Sequence, residues 1–188
     1  ANLGYSVATA GDVNGDGYSD VIIGAPNFDG GSFYEGCARI YLGSEAGLST
    51  TVHRHYESNQ QNALMGWSVA CAGDVNGDGY DEVIVGACWY DHGQWDEGRA
   101  FLYHGSAAGL SATADWTAES DQIWAFFGAS AGTAGDVNGD GFDDVVVGAH
   151  GSEEAGRVYV YHGGPSMDAT PDLTLTGEAA GDELRRWK

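Results

Sequence analysis

Three nine-residue segments concentrate the chemistry this chain could do. DVNGDGYSD (Asp12 to Asp20) recurs as DVNGDGYDE (Asp74 to Glu82) and as DVNGDGFDD (Asp136 to Asp144). Oxygen side chains fall at alternate positions in each: Asp12, Asn14, Asp16 and Asp20; Asp74, Asn76, Asp78 and Glu82; Asp136, Asn138, Asp140 and Asp144. The seventh position, Tyr18, Tyr80 or Phe142, can offer its backbone carbonyl, so its side chain is free to vary. Glycines such as Gly15 and Gly17 let the backbone wrap, because only glycine takes left-handed dihedrals cheaply. Hard oxygens on a curling loop suit calcium, which takes about six to eight ligands at roughly 2.3–2.6 Å. Three carboxylates in nine residues repel one another unless a cation sits between them.

A solvated Asn/Asp/Gly turn without metal is the plain alternative, and three copies of the same crowding weigh against it. An EF-hand would need a bidentate Glu at position twelve, where Ile23, Val85 and Val147 stand. A dockerin-type site fails as well, because the flanks read as strands and the spacing is too long. The expectation is one calcium (Ca2+) site per repeat, three in all.

The loops sit inside a longer repeat. GYSVATAGDVNGDGYSDVIIGAP begins at Gly4, GWSVACAGDVNGDGYDEVIVGAC at Gly66 and GASAGTAGDVNGDGFDDVVVGAH at Gly128, 62 residues apart each time. Downstream, GCARIYLGSEAGLS from Gly36 matches GRAFLYHGSAAGLS from Gly98, while GRVYVYHGG starts four residues early at Gly156. The chain therefore divides into repeats at 1–65, 66–127 and 128–184, with a tail at 185–188. Each repeat reads as four short strands, in the first copy Tyr5 to Ala10, Val21 to Ala25, Ala38 to Leu42 and a polar Val52 to Glu57; Trp116 opens the last one's counterpart in the second copy. Turn residues separate them, and no helical periodicity appears. Four strands per repeat of about 60 residues predict an all-β fold of β-propeller blades: three four-stranded antiparallel sheets with the polar strand outermost. A parallel β-helix has much shorter coils.

Composition narrows the partners. Seven Lys and Arg against 28 Asp and Glu give a net charge of −21, which disfavours a nucleic-acid backbone. Nine of those carboxylates stand at the first, fifth and ninth positions of the three loops, and three calcium ions would bring the charge to about −15. With 43% hydrophobic and 12% aromatic residues, the chain is too apolar for a disordered acidic tail. No apolar run approaches the roughly 18 residues that a membrane helix needs.

With the aromatic-Gly start, the DxNGDGxxD loop and a closing Gly-Ala-Pro on the page, the sequence resembles the FG-GAP repeat, which builds the integrin α-subunit propeller and many bacterial extracellular propellers. Phe127-Gly128 supplies the FG, with Leu3-Gly4 and Met65-Gly66 as variants. Gly24-Ala25-Pro26 supplies the GAP, relaxed to Gly86-Ala87-Cys88 and Gly148-Ala149-His150. The GSxxGLS segment is similar to prokaryotic members in particular. The resemblance covers nearly the whole chain. It implies calcium ligation by Asp12, Asn14, Asp16, Tyr18 and Asp20 and by their counterparts, in the hairpin between the first and second strands. It implies that ligands approach the opposite face, where Phe28, Phe33, Tyr34, Trp89, Tyr90, Trp95, Trp124 and Phe126 lie. Such aromatics suit a protein or glycan ligand; packing between blades is the other reading for each.

Family propellers usually close with seven blades, so three imply further blades from the same or other chains. The opening residue is Ala and the first residues do not read as a signal peptide, so a processed or excised segment is expected. At the far end Leu184-Arg185 stands where FG should recur, and Arg186, Trp187 and Lys188 leave the pattern. Cys37, Cys71 and Cys88 occupy unrepeated positions and are expected to be free thiols. His104 and His162 share a strand-end position, which suggests packing. No Ser-His-Asp, Cys-His or zinc spacing emerges, and carboxylate pairs such as Glu153-Glu154 read as solvated. The expectation is a non-catalytic, calcium-binding, extracellular or cell-surface segment acting in adhesion or recognition. Two alternatives stand beside it: a structural subunit of a larger extracellular assembly or filament, and an accessory module of a secreted carbohydrate-active or hydrolytic enzyme.

Overall fold

A computed structural model describes residues 1–151 and 155–177. The Glu153-Glu154 pair, the Leu184-Arg185 junction and the tail lie outside the described residues. Twelve strands follow in order: β1 (Ser6–Gly11), β2 (Asp20–Ala25), β3 (Cys37–Tyr41), β4 (Arg54–Glu57), β5 (Met65–Gly73), β6 (Glu82–Ala87), β7 (Arg99–Tyr103), β8 (Trp116–Glu119), β9 (Phe127–Gly135), β10 (Asp144–Ala149), β11 (Arg157–Tyr161) and β12 (Leu173–Thr176). They form three four-stranded sheets, each an antiparallel meander in chain order. These are three β-propeller blades, and no helix occurs among the described residues. The fourth strand of the first blade starts at Arg54, not Val52. A hydroxyl-held turn, in which Thr51 N–H donates to Ser49 Oγ (3.0 Å), uses up the preceding residues.

Hydrophobic alternation explains how the blades stack. One core lies between the first and second blades, where Ile22, Ile40 and Tyr56 meet Val83, Val85, Tyr103 and Leu110. A second lies between the second and third, where Ile84, Leu102 and Trp116 meet Phe127, Val145, Val147 and Tyr161. Strand β6 thus sends Val83 and Val85 one way and Ile84 the other, and all six of its residues are buried. A strand covered on both faces has no use for a polar alternate, hence the run EVIVGA. Rings complete the joints: Tyr56 stacks on Tyr103 at 3.7 Å and Trp116 meets Tyr161 edge-on at 5.0 Å.

The glycines of FG and GAP meet between neighbouring blades. A Cβ on Gly24 would stand 2.1 Å from Gly66 O, and one on Gly86 1.9 Å from Gly128 O. Glycine is needed there for close backbone approach. Beside these contacts Ser6 Oγ donates to Gly66 O and Ser68 Oγ to Gly128 O, both at 2.8 Å. At the two outer faces of the stack, Leu3 and Val7 on one side and Val137, Leu173 and Leu175 on the other are exposed. Cys37, Cys71 and Cys88 are free thiols, and burial raises the first two to about 11 and the third to about 12.

Candidate metal loops and the opposite loop face

Each acidic loop curls around its first carboxylate. Asp12 Oδ1 accepts the N–H groups of Gly15 (2.8 Å) and Asp16 (3.1 Å), and Oδ2 accepts that of Gly17 (2.8 Å). Asp74 and Asp136 hold Gly77, Asp78, Gly79 and Gly139, Asp140, Gly141 in the same way. Asn14 Oδ1 accepts Asp16 N–H at 3.0 Å, and Asp16 Oδ1 accepts Tyr18 N–H at 3.0 Å. Asn76 with Asp78, and Asn138 with Asp140, repeat that step. The first, third and fifth side chains are thereby gathered into one small hydrogen-bonded turn, three times over.

The ninth residue does something the spacing alone did not reveal. Asp20 is buried, its Oδ2 accepting Val13 N–H (3.0 Å) and its Oδ1 accepting Gly43 N–H (2.8 Å). Glu82 bridges Val75 and Gly105, and Asp144 bridges Val137 and Gly163. This carboxylate ties the acidic loop to the turn after the third strand. Burial raises Asp20 and takes Glu82 to about 8, backbone N–H donors opposing it in both. Asp140 is lowered, first by Phe142 N–H and then by Asn138. Among the described residues no Lys or Arg pairs with a loop carboxylate. The donor set is all hard oxygen, short of positive charge and held on left-handed glycines (φ +71° at Gly15, +87° at Gly17); it fits calcium.

Neighbouring loops are also stapled together. Asp81 Oδ2 accepts Asp12 N–H at 2.7 Å and Asp143 Oδ2 accepts Asp74 N–H at 3.0 Å. The ring of Tyr80 covers Gly15, where a Cβ would stand 2.7 Å from Cε1, and Phe142 covers Gly77 likewise. The seventh side chain, expected from the sequence to be indifferent, seals the joint to the preceding loop. Gly73 (φ +79°) leaves the space that the Asp143 carboxylate fills, whereas nothing lies near Gly135 (φ +68°). Gly135→Ala is expected to cost about 1–2 kcal/mol from backbone strain alone. Gly73→Ala should cost roughly 1 kcal/mol more, because it also displaces the half-buried Asp143 carboxylate that accepts Asp74 N–H. Urea titration of both variants checks this; equal losses would mean that the staple contributes nothing.

Loops after the second and fourth strands lie at the other end of the sheets and pair with one another, mostly within a repeat and, at Trp89, between repeats. Asn62 N–H donates to Phe33 O (2.8 Å), Leu64 N–H to Tyr34 O (3.1 Å) and Trp89 N–H to Ala63 O (3.3 Å). Trp124 N–H donates to Trp95 O (2.8 Å) and Phe126 N–H to Asp96 O (3.1 Å). This brings Phe33, Tyr34, Trp89, Tyr90, Trp95 and Trp124 to one face. Five of the six are exposed, Trp95 at 71% and Phe33 at 63%. Tyr90 is half-buried against Phe101 (5.7 Å), with the Arg99 guanidinium 4.8 Å over its ring. Phe126 packs with Trp89 at 6.4 Å and stacks with His150 at 5.4 Å. Sequence reasoning passed over Glu35 and Glu97 on this face. Both are fully buried, and the repeated Glu-Gly before the third strand was the available clue.

A family model described as FG-GAP repeat matches residues 3–36, 65–103 and 127–161, more than half of the chain. The chain is 31% identical over 183 residues to integrin alpha-5 of Xenopus laevis, a match covering 93% of the chain and 17% of the relative. It is 36% identical over 187 residues to integrin alpha pat-2 of Caenorhabditis elegans, covering 91% and 14%. Against integrin alpha-6 of Homo sapiens it is 30% identical over 177 residues, covering 94% and 14%. The chain spans less than one-fifth of the length of these relatives.

Proposed function

The chain belongs to the FG-GAP repeat family, and from that premise we propose that it is a calcium-binding, non-catalytic segment of an extracellular propeller that recognises a protein or glycan. One observation carries the reading: two chemistries are segregated to opposite ends of the blades. Oxygen donors gather in the hairpins after the first strands, and exposed aromatic rings gather on the loops after the second and fourth strands. In each loop, the carboxylates of positions one, five and nine, the third-position Asn and the seventh carbonyl would hold the ion. The ion would supply positive charge that ties the hairpin to its blade. It would not take part in any reaction. Rigid aromatic side chains offer large contact area at low entropic cost, and proteins named integrin alpha lie among the relatives. Among the described residues no helix is long and apolar enough to cross a membrane.

The test is an array of glycans and extracellular-matrix proteins probed with the chain in calcium. A Trp89→Ala/Trp95→Ala double variant is expected to lose at least tenfold in binding while melting with the parent, since both side chains are exposed. Binding that survives the double substitution removes the aromatic face from the reading. Absence of binding to either class of ligand removes recognition from this segment.

A structural role has its own support. Val13 and Val75 are buried under the following blade, whereas their counterpart Val137 is 58% exposed. We propose that this face and that of Leu3 and Val7 accept further blades, from the same or other chains. Mass measurement in calcium would report a defined oligomer if chains supply those blades, and a discrete monomer would sink that version.

A further inference from the structure

The aromatic face carries a side-chain cluster that the second repeat has and the first lacks. His92, Glu97 and Glu119 converge there, one ligand atom of each lying within 4.8 Å of the other two. Glu97 is fully buried; its Oε1 accepts the N–H groups of His92 and Gln94, while its Oε2, equally buried, has no hydrogen-bond partner. Glu119 Oε1 lies 2.7 Å from His92 Nδ1. Its Oε2 is gripped by Arg99, with Nε at 2.9 Å and Nη2 at 2.7 Å. Two carboxylates and one guanidinium leave an excess negative charge beside an imidazole.

We propose that His92, Glu97 and Glu119 form a site for a first-row transition dication of the zinc class, distinct in residues and in blade end from the three acidic loops. An unpartnered buried carboxylate oxygen is costly unless a positive charge meets it. An imidazole nitrogen with two carboxylate oxygens suits zinc and its neighbours, whereas calcium takes oxygen alone. Arg99 serves as the outer partner that fixes Glu119 in place and leaves Oε1 available. Around an ion at about 2.0–2.1 Å, tetrahedral ligands stand roughly 3.3 Å apart; His92, whose side chain is 58% exposed, is free to close the difference. Water completes the shell on that open side.

The first repeat is an internal control. It has the same buried Glu35 with an unpartnered Oε2, and Glu57 in the place of Glu119, but Gly30 stands for His92 and Cys37 for Arg99. In the third repeat Ala155 replaces the buried Glu. The imidazole is what makes the second repeat different.

Zinc is titrated calorimetrically into the full 188-residue chain already saturated with calcium. One zinc ion per chain is expected. His92→Gly, which restores the first repeat's residue, should weaken it by roughly tenfold or more, a loss that even outer-shell changes produce. Glu57→Gln and Cys88→Ser should leave it unchanged. Cobalt in place of zinc should give a visible d–d band without a thiolate charge-transfer band, and His92→Gly should abolish it. No zinc uptake by the calcium-saturated chain overturns the proposal, as does uptake that His92→Gly leaves intact. A wild-type near-ultraviolet dichroism spectrum for His92→Gly separates lost binding from lost fold.

Discussion

Withdrawing calcium with a chelator is expected to lower the melting temperature of this chain by roughly 15–30 °C. At free calcium a hundred times the dissociation constant, each site bound only in the folded state contributes about 2.7 kcal/mol, hence roughly 8 kcal/mol for three. A chain of this size shifts by about 2–4 °C for each kcal/mol. The physical source is local. Asp12, Asp16 and Asp20 and their counterparts are held in three tight turns, the ninth carboxylate is buried, and no described Lys or Arg offsets them. Calorimetric scans with calcium and with chelator measure the gap, and Asp140→Ala should reduce it to about two-thirds by removing one loop. An unchanged melting temperature on chelation would overturn the metal assignment.

Phe127→Ala should destabilise the chain by about 3–5 kcal/mol and Met65→Ala by about 2–5 kcal/mol, the costs of emptying large buried sites. Leu3→Ala, at the same position of the first repeat, should cost no more than about 0.5 kcal/mol. Phe127 sits between the second and third blades: its N–H donates to Glu97 O of the second at 2.9 Å, and its ring meets Tyr159 at 5.3 Å and Tyr161 at 6.4 Å in the third. Met65 N–H donates to Glu35 O at 3.0 Å, and both residues are fully buried. Leu3 has no blade before it among the described residues and is 50% exposed. Urea unfolding of the three variants reads the difference. Equal losses would mean that the preceding blade does not create the site.

Much of the fold was legible because the repeats align so closely. The β-branched runs Val21 to Ala25, Val83 to Ala87 and Val145 to Ala149 are central strands as expected, and the DVNGDG turns join them to the first strands. Strand ends moved by one or two residues where hydroxyl turns compete with the ladder, as at Thr51. The aromatic face divided in a way that composition could not foresee: Trp95 and Phe33 are exposed, while Tyr90 lies under Arg99. Tyr80 and Phe142, expected to lend only a carbonyl, also cover the glycines of the preceding loop.

The sequence by itself determined the repeat, the antiparallel four-strand unit and the gathering of oxygen donors in each loop. All of these are set within a few residues: Asp12 reaches Gly15, Asp16 and Gly17 wherever the loop is placed. Only the tertiary structure decided what happens between blades. Asp81 meets Asp12 across 69 positions, and His92 meets Glu119 across 27. Identical repeats look equivalent in the chain, but stacking covers both faces of the middle blade alone. Val13 and Val75 each have a following blade and are buried, where Val137, with none after it among the described residues, is bare. Burial belongs to a blade's neighbours, and no repeat encodes its neighbours in its own residues.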